Sequence, residues 1–259
     1  MLSFVLPVKE SRAMRCGILI VGSLLWDDGV GNRRAEWRTN RLDINKRQPV
    51  RVSIYYGRKS SSRGNTYTMA FGLGEASGQG VLVPCVREID SVDDLVLETE
   101  ALWQAEDANV EAGKLHKSWG CVGAQFGQTE RHAKLSANWS RHFRKVNAQP
   151  VSIVNADGLL NIGWPNGLNG VPADFDVVLA TATKPEVRRP TVRAVSNAWA
   201  DQCDGNEDYF FRNVAHGIRT ADDLAIWQCI EERSPPWINE ESYKVPIDIP
   251  RAETASPPT

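Results

Sequence analysis

Two patterns in this chain could do chemistry together. The first is Cys16-Gly17-Ile18-Leu19-Ile20-Val21-Gly22-Ser23-Leu24-Leu25-Trp26-Asp27-Asp28, an apolar run that breaks into Gly-Ser and then an acidic turn. A glycine at the end of a buried strand lets the backbone approach a ligand, and its neighbours can offer N–H groups to an anion. A strand that ends in Gly-Ser for turn chemistry alone would read the same way. The second pattern is Glu106, at the end of an amphipathic stretch. On a wheel of about 100° per residue, Val92, Leu95, Val96, Thr99, Leu102 and Trp103 form one stripe, and Glu106 falls within about 20° of its centre. Desolvation and the helix dipole both oppose a carboxylate there, so something must compensate it. Burial also raises a carboxyl pKa toward neutrality, which suits proton transfer. The alternative is a structural glutamate bonded to a nearby arginine.

Local signals place these groups on definite elements. The strand over 16–25 carries the Gly-Ser turn. Residues 31–48 are polar and arginine-rich and read as loop with at most a helical turn. Strands are expected over 50–56, 66–71 and 81–86, joined by the loop 57–65 and a glycine-bracketed turn, which makes an antiparallel start to the sheet. Ser91 with Asp94 three residues on is a capping-box start for the helix that ends near Glu106. Glu98 and Glu100, about 100° to either side of the stripe, are expected to face water. Further along, the pattern predicts a strand over 119–126, a basic helix over 129–146, a hairpin turning at 155–158, and a strand over 175–183. Three short helices follow, over 191–200, 207–216 and 222–231.

A length of 259 residues with 42% hydrophobic and 24% charged residues is that of a globular chain with a substantial core. The net charge of −2 gives no global attraction to nucleic acid. Five scattered cysteines without a Cys-x-x-Cys pair fit a reducing compartment. The first residues lack the features of a secretory signal, and no run is long enough to span a membrane, so a cytoplasmic location is expected. The domain plan is a flexible leader over 1–14, a main domain over 15–185, a helical extension over 186–233 and a Pro-rich tail over 234–259.

Taken together, the Gly-Ser-Leu turn, the hairpin, the glycine-initiated strand and the helix with an inward Glu resemble the γ-glutamylcyclotransferase family. Its signature loop, aromatic-Gly-Ser followed by Asn, Leu or Thr, is similar to Val21-Gly22-Ser23-Leu24. In the glutathione-specific branch the likeness extends through Leu25 and Trp26. The family's catalytic Glu closes a Leu-x-x-x-Glu pattern, matched by Leu102 to Glu106. Arg58 to Gly64, followed by Tyr67-Thr68, resembles the arginine- and serine-bearing loop and strand of bacterial-type members. The chain departs from the family in having Val21 where the signature carries Tyr.

The resemblance implies an α+β fold, with a mixed β-barrel, surrounding helices and a C-terminal helical extension. It implies cyclisation of a γ-glutamyl amide to 5-oxoproline, with Glu106 as general acid/base. Val21, Gly22, Ser23, Leu24, Leu25, Arg58 and Ser61 become the substrate-binding residues. No cofactor or metal is implied, and the partner is a small-molecule γ-glutamyl substrate. A binding protein that keeps the cavity without the chemistry is the alternative, one that the loss of the loop tyrosine favours.

Charge is uneven along the chain. Residues 33–63 carry ten Lys and Arg against Glu36 and Asp43, whereas 88–112 carry nine acids and no base. These segments are expected to pack together and neutralise each other. A basic patch for a phosphate-bearing or nucleotide ligand is the other reading, and a nucleic-acid module using the same arginines a third. Asp27 and Asp28 are read as a solvated acidic turn rather than a metal site, and the four histidines have no ligand spacing.

Overall fold

The computed structural model of the chain describes residues 13–74, 78–107, 109–111, 113–146, 148–151, 153–185, 189–202 and 208–239. The leader up to residue 12 and the tail from residue 240 lie outside the described residues.

Among the described residues the protein is α+β, with nine strands and six α-helices. In chain order these are β1 (Cys16–Ile20), α1 (Arg33–Arg41), β2 (Gln48–Val52), β3 (Ile54–Ser60), β4 (Thr66–Phe71), β5 (Gly78–Pro84) and α2 (Val92–Glu106). Then come β6 (His116–Lys117), β7 (Gly120–Phe126), α3 (Glu130–Lys145), β8 (Asn166–Gly167), β9 (Val177–Thr183), α4 (Val192–Ala200), α5 (Asp208–Ala215) and α6 (Asp223–Arg233).

Seven strands form one mixed sheet in the order β6-β7-β9-β1-β5-β2-β8. β1 is central, parallel to β9 and antiparallel to β5, and all five of its residues are buried. That is the continuous apolar run expected of a strand covered on both faces. β3 and β4 pair separately as a bulged hairpin. The expected barrel is therefore not closed among the described residues: β6 and β8 are edges, and the hairpin is a layer beside the sheet. It is tied to β9 through the Thr183 hydroxyl, which donates to the Met69 carbonyl at 3.1 Å.

α2 starts at the expected capping box, with Ser91 and Asp94 bonding each other's backbone N–H. It packs against α1, α3, β7 and β9 and buries Leu95, Thr99, Leu102 and Trp103. Glu98 departs from expectation. It is 1% exposed, paired with Arg41 of α1 at 2.9 Å and Arg87 at 3.4 Å. The wheel placed it on the flank correctly, but α1 and Arg87 cover that flank.

α1 is itself a correction, because 33–41 was expected as loop. Only Trp37 is buried in it, too little to generate a helical apolar period. Polar contacts fix it instead. Arg38 donates to the carbonyls of Leu24 and Asp27 at 2.8 and 2.9 Å and pairs with Asp28. The expected hairpin near 155–158 is reduced to an isolated Val154–Leu160 bridge, with Leu159 bridging β7.

The C-terminal helices pack onto the β3–β4 hairpin. Trp199 of α4 is fully buried, edge-on to Tyr56 at 4.6 Å and beside Phe210 of α5 at 5.1 Å. The described part of the expected tail, residues 234–239, is packed too: Trp237 is buried against Phe211.

Asp223, at the start of α6, is completely buried. It accepts from the Thr220 amide at 3.0 Å and from the Thr220 hydroxyl. Burial pushes its pKa up from 3.8 to about 7, against the pull of those bonds and of Arg219. A raised acid pKa stabilises the fold fully below the unfolded value, and that contribution is lost as pH climbs from about 4 to about 7. Asp223→Asn keeps one acceptor and does not ionise. The stability difference between wild type and this variant, from urea unfolding at pH 5 and 7.5, is therefore expected to shift against the wild type at the higher pH.

Candidate functional site

A cavity of about 660 Å³ opens where the end of β1, the β3–β4 hairpin, the start of α1, the end of α2 and α5 converge. Val21, Gly22, Ser23, Leu24, Arg58 and Glu106 all line it. Leu25 and Ser61 are not brought to it. Leu25 turns into the core, and Ser61 is exposed while its neighbours Ser60 and Ser62 form the wall. Ser61–Arg63 form a 3-10 turn directly after β3, and within it Ser62 faces the cavity while Ser61 does not.

After β1 the chain tightens into a 3-10 turn, Ser23–Leu25. Its bonds run from the Leu25 amide to the Gly22 carbonyl at 3.2 Å and from the Trp26 and Asp27 amides to the Ser23 carbonyl at 3.1 and 2.8 Å. The Ser23 and Leu24 amides precede the first of these bonds, the position from which backbone N–H groups can meet an anion. Gly22 has φ −169°, open to any residue. Space requires the glycine: a Cβ there would lie 2.9 Å from the Tyr209 hydroxyl. That hydroxyl accepts from the Met69 amide at 3.1 Å and is buried. Gly22→Ala is expected to cost ~1–3 kcal/mol by overpacking. Tyr209→Phe, which removes the clashing oxygen, should recover part of that loss in the double variant; thermal unfolding of the four proteins reads the coupling.

Glu106 is the last residue of α2, and α1 compensates it. Arg34 Nε donates to the Ala105 carbonyl at 3.1 Å, and an Arg33 amine does so at 3.4 Å. Both cap the negative end of the α2 dipole. The Arg34 guanidinium also stands 3.7 Å from the Glu106 carboxylate, which is 18% exposed. Burial raises the Glu106 pKa above the usual carboxylate range, and Asp27 adds to the rise. Arg34, the Thr181 hydroxyl and Arg58 pull it down, with burial the largest influence. The Thr181 hydroxyl is buried and meets no partner at normal hydrogen-bond geometry.

Asp27 knits the site together. It accepts from Arg34 and Arg63 at 2.7 Å each and from the Gly29 amide at 2.8 Å. Burial would raise its pKa, but the Gly29 amide and the two arginines together hold it below the usual range. The acidic turn is thus ion-paired, Asp28 going to Arg38. Among the described residues no group of three or more His, Cys, Asp or Glu could hold a metal.

The expected pairing of the basic and acidic segments occurs in part, as Arg34–Glu106 and Arg41–Glu98, while Arg34, Arg38 and Arg63 also turn back to the 27–28 acids. Tyr209 and Thr181 were missed by sequence reasoning. Tyr209 sits beneath Arg63, whose guanidinium carbon is 4.9 Å from the ring centre, and edge-on to Trp26 at 5.9 Å. Neither residue has a local signal, since both reach the cavity only through tertiary packing.

No family model, curated protein or solved structure matches the chain. Among the described residues no helix is long and apolar enough to cross a membrane.

Proposed function

We propose that the protein is a γ-glutamylcyclotransferase-like enzyme of the cytoplasm, on a variant of that family's fold. It cyclises a γ-glutamyl amide to 5-oxoproline and releases the amine. One observation carries the reading: Glu106, with a burial-raised pKa, lines the same cavity as the Gly22-Ser23-Leu24 turn.

The reaction follows from these groups. The substrate supplies both reacting atoms, so proximity comes largely from its own chain. Ionised Glu106 takes a proton from the α-ammonium, and the freed nitrogen attacks the γ-carbonyl carbon. The ring nitrogen sheds its second proton as the bond from that carbon to the amine half breaks, and both protons pass by way of Glu106 to the departing nitrogen, which leaves as an ammonium. Amides of the Ser23 turn support the carbonyl oxygen as it gains charge. Arginines of the wall receive the α-carboxylate. Tyr209 supplies an aromatic wall at Gly22, in a loop whose own position before the glycine is Val21.

A second reading, a binding protein without turnover, is favoured by the Arg34–Glu106 contact, because a held carboxylate is a poorer proton shuttle. Incubation with γ-glutamyl amides separates the two. The enzyme releases 5-oxoproline, whereas a binding protein gives a saturable rise in melting temperature and no product.

A further inference from the structure

The hydroxyl of Tyr209 carries a hydrogen that the fold does not use. Tyr209 lies on α5, is 3% exposed, and reaches the cavity wall beside Gly22. A Cβ on Gly22 would lie 2.9 Å from the hydroxyl oxygen, so this oxygen sits against the first residue of the Gly22-Ser23-Leu24 turn. The oxygen accepts from the Met69 amide of β4 at 3.1 Å. Asn213, one turn further along α5, approaches it too. Trp26 Nε1 donates to Asn213 Oδ1 at 2.9 Å, which leaves Nδ2 for other partners. Nδ2 is buried without a partner at normal hydrogen-bond geometry, and the pull of Asn213 on the Tyr209 pKa is that of a donor. Both groups approach the oxygen as donors, so neither receives its hydrogen. Among the described residues that hydrogen meets no acceptor. The ring is held, with Arg63 over its face at 4.9 Å and Trp26 against it at 5.9 Å, so the hydroxyl stays at one point of the wall.

Burial raises the Tyr209 pKa above its ordinary value of 10.0, and Glu106 adds to the rise. The Met69 amide, Arg63 and Asn213 pull it down. The phenol is therefore a neutral donor at neutral pH. Guanidiniums are the better fit for the α-carboxylate, because they answer its charge. A carbonyl oxygen that gains charge only during the reaction is met by neutral dipoles fixed where that charge appears. The Ser23 and Leu24 amides, which follow Gly22 directly, are two such dipoles.

Building on the cyclotransferase reading, we propose that the Tyr209 hydroxyl is a catalytic group, the third donor to the γ-carbonyl oxygen beside the Ser23 and Leu24 amides. The phenol keeps its proton throughout. As the α-nitrogen attacks, the carbonyl oxygen takes up negative charge and the hydrogen bonds to it strengthen. When the bond to the amine half breaks, the carbonyl re-forms as that of the lactam and the hydroxyl is unchanged.

The test reads kcat and KM separately for wild type and Tyr209→Phe with a γ-glutamyl amide, with a melting temperature for each protein. Tyr209→Phe is expected to lower kcat by about 10²–10³-fold, the cost of one oxyanion donor, with KM within about twofold of wild type. That variant also leaves the Met69 amide without its acceptor, so a second replacement keeps the hydroxyl in place. Difluorotyrosine in place of Tyr209 makes the phenol more acidic. The hydroxyl hydrogen, and kcat with it, is then lost at a lower pH than in the wild type. An unchanged kcat in Tyr209→Phe, or an alkaline limb that stays in place with difluorotyrosine, would overturn the role. A loss confined to KM would also overturn it, by placing the hydroxyl on the α-carboxylate. In each of these cases 5-oxoproline from the wild type leaves cyclisation standing. No 5-oxoproline from the wild type would refute the reaction and the part of Tyr209 in it together.

Discussion

Glu106→Gln is expected to lower the rate of 5-oxoproline formation by about 10²–10⁴-fold, the range associated with a positioned acid–base group. Glutamine keeps the size and polarity of the side chain at the end of α2 but cannot accept and return a proton. Arg33 and Arg34 still cap the α2 carbonyl through Ala105, so the fold has no reason to fail. Arg34 loses a partner at 3.7 Å but keeps Asp27 at 2.7 Å. The variant should therefore melt near the wild type and still bind a γ-glutamyl amide while turning it over slowly. A fall in affinity with unchanged turnover would make Glu106 a binding residue.

The second large effect is on stability. Trp199→Ala is expected to cost ~3–5 kcal/mol, the usual cost of removing a buried aromatic side chain. Trp199 is fully buried between Tyr56 of the hairpin and Phe210 of α5, so it joins the C-terminal helices to the layer beside the sheet. α5 also carries Tyr209, the cavity wall at Gly22. Loosening α4 and α5 should weaken substrate binding as well as the fold. Urea unfolding with a KM measurement tests both. A loss under about 1 kcal/mol would mean that the site has relaxed around the deletion or that the helices contribute little.

The parts of this structure legible in the sequence are those that local chemistry decides. β1 was visible as an uninterrupted apolar run and α2 as a stripe behind Ser91 and Asp94. Glu106 fell inside that stripe by periodicity alone. α1 was hidden because charge fixes it, through partners on the 24–28 turn and α2, rather than an apolar face. Glu98 was misplaced for the same reason, since Arg41 and Arg87 arrive from other elements to cover it. The open sheet with a separate hairpin depends on long-range pairing, which no window of sequence encodes. The site divides likewise: the Gly22-Ser23 turn and Glu106 are local features, whereas Tyr209 and Thr181 meet them only when the chain has folded.

The central claim is that this cavity cyclises a γ-glutamyl amide. The most direct measurement is the stoichiometry of products when the wild-type protein is incubated with γ-glutamyl amides. The account predicts one 5-oxoproline for each amine released and no free glutamate. Free glutamate in place of 5-oxoproline, or no product from any amide, would contradict it.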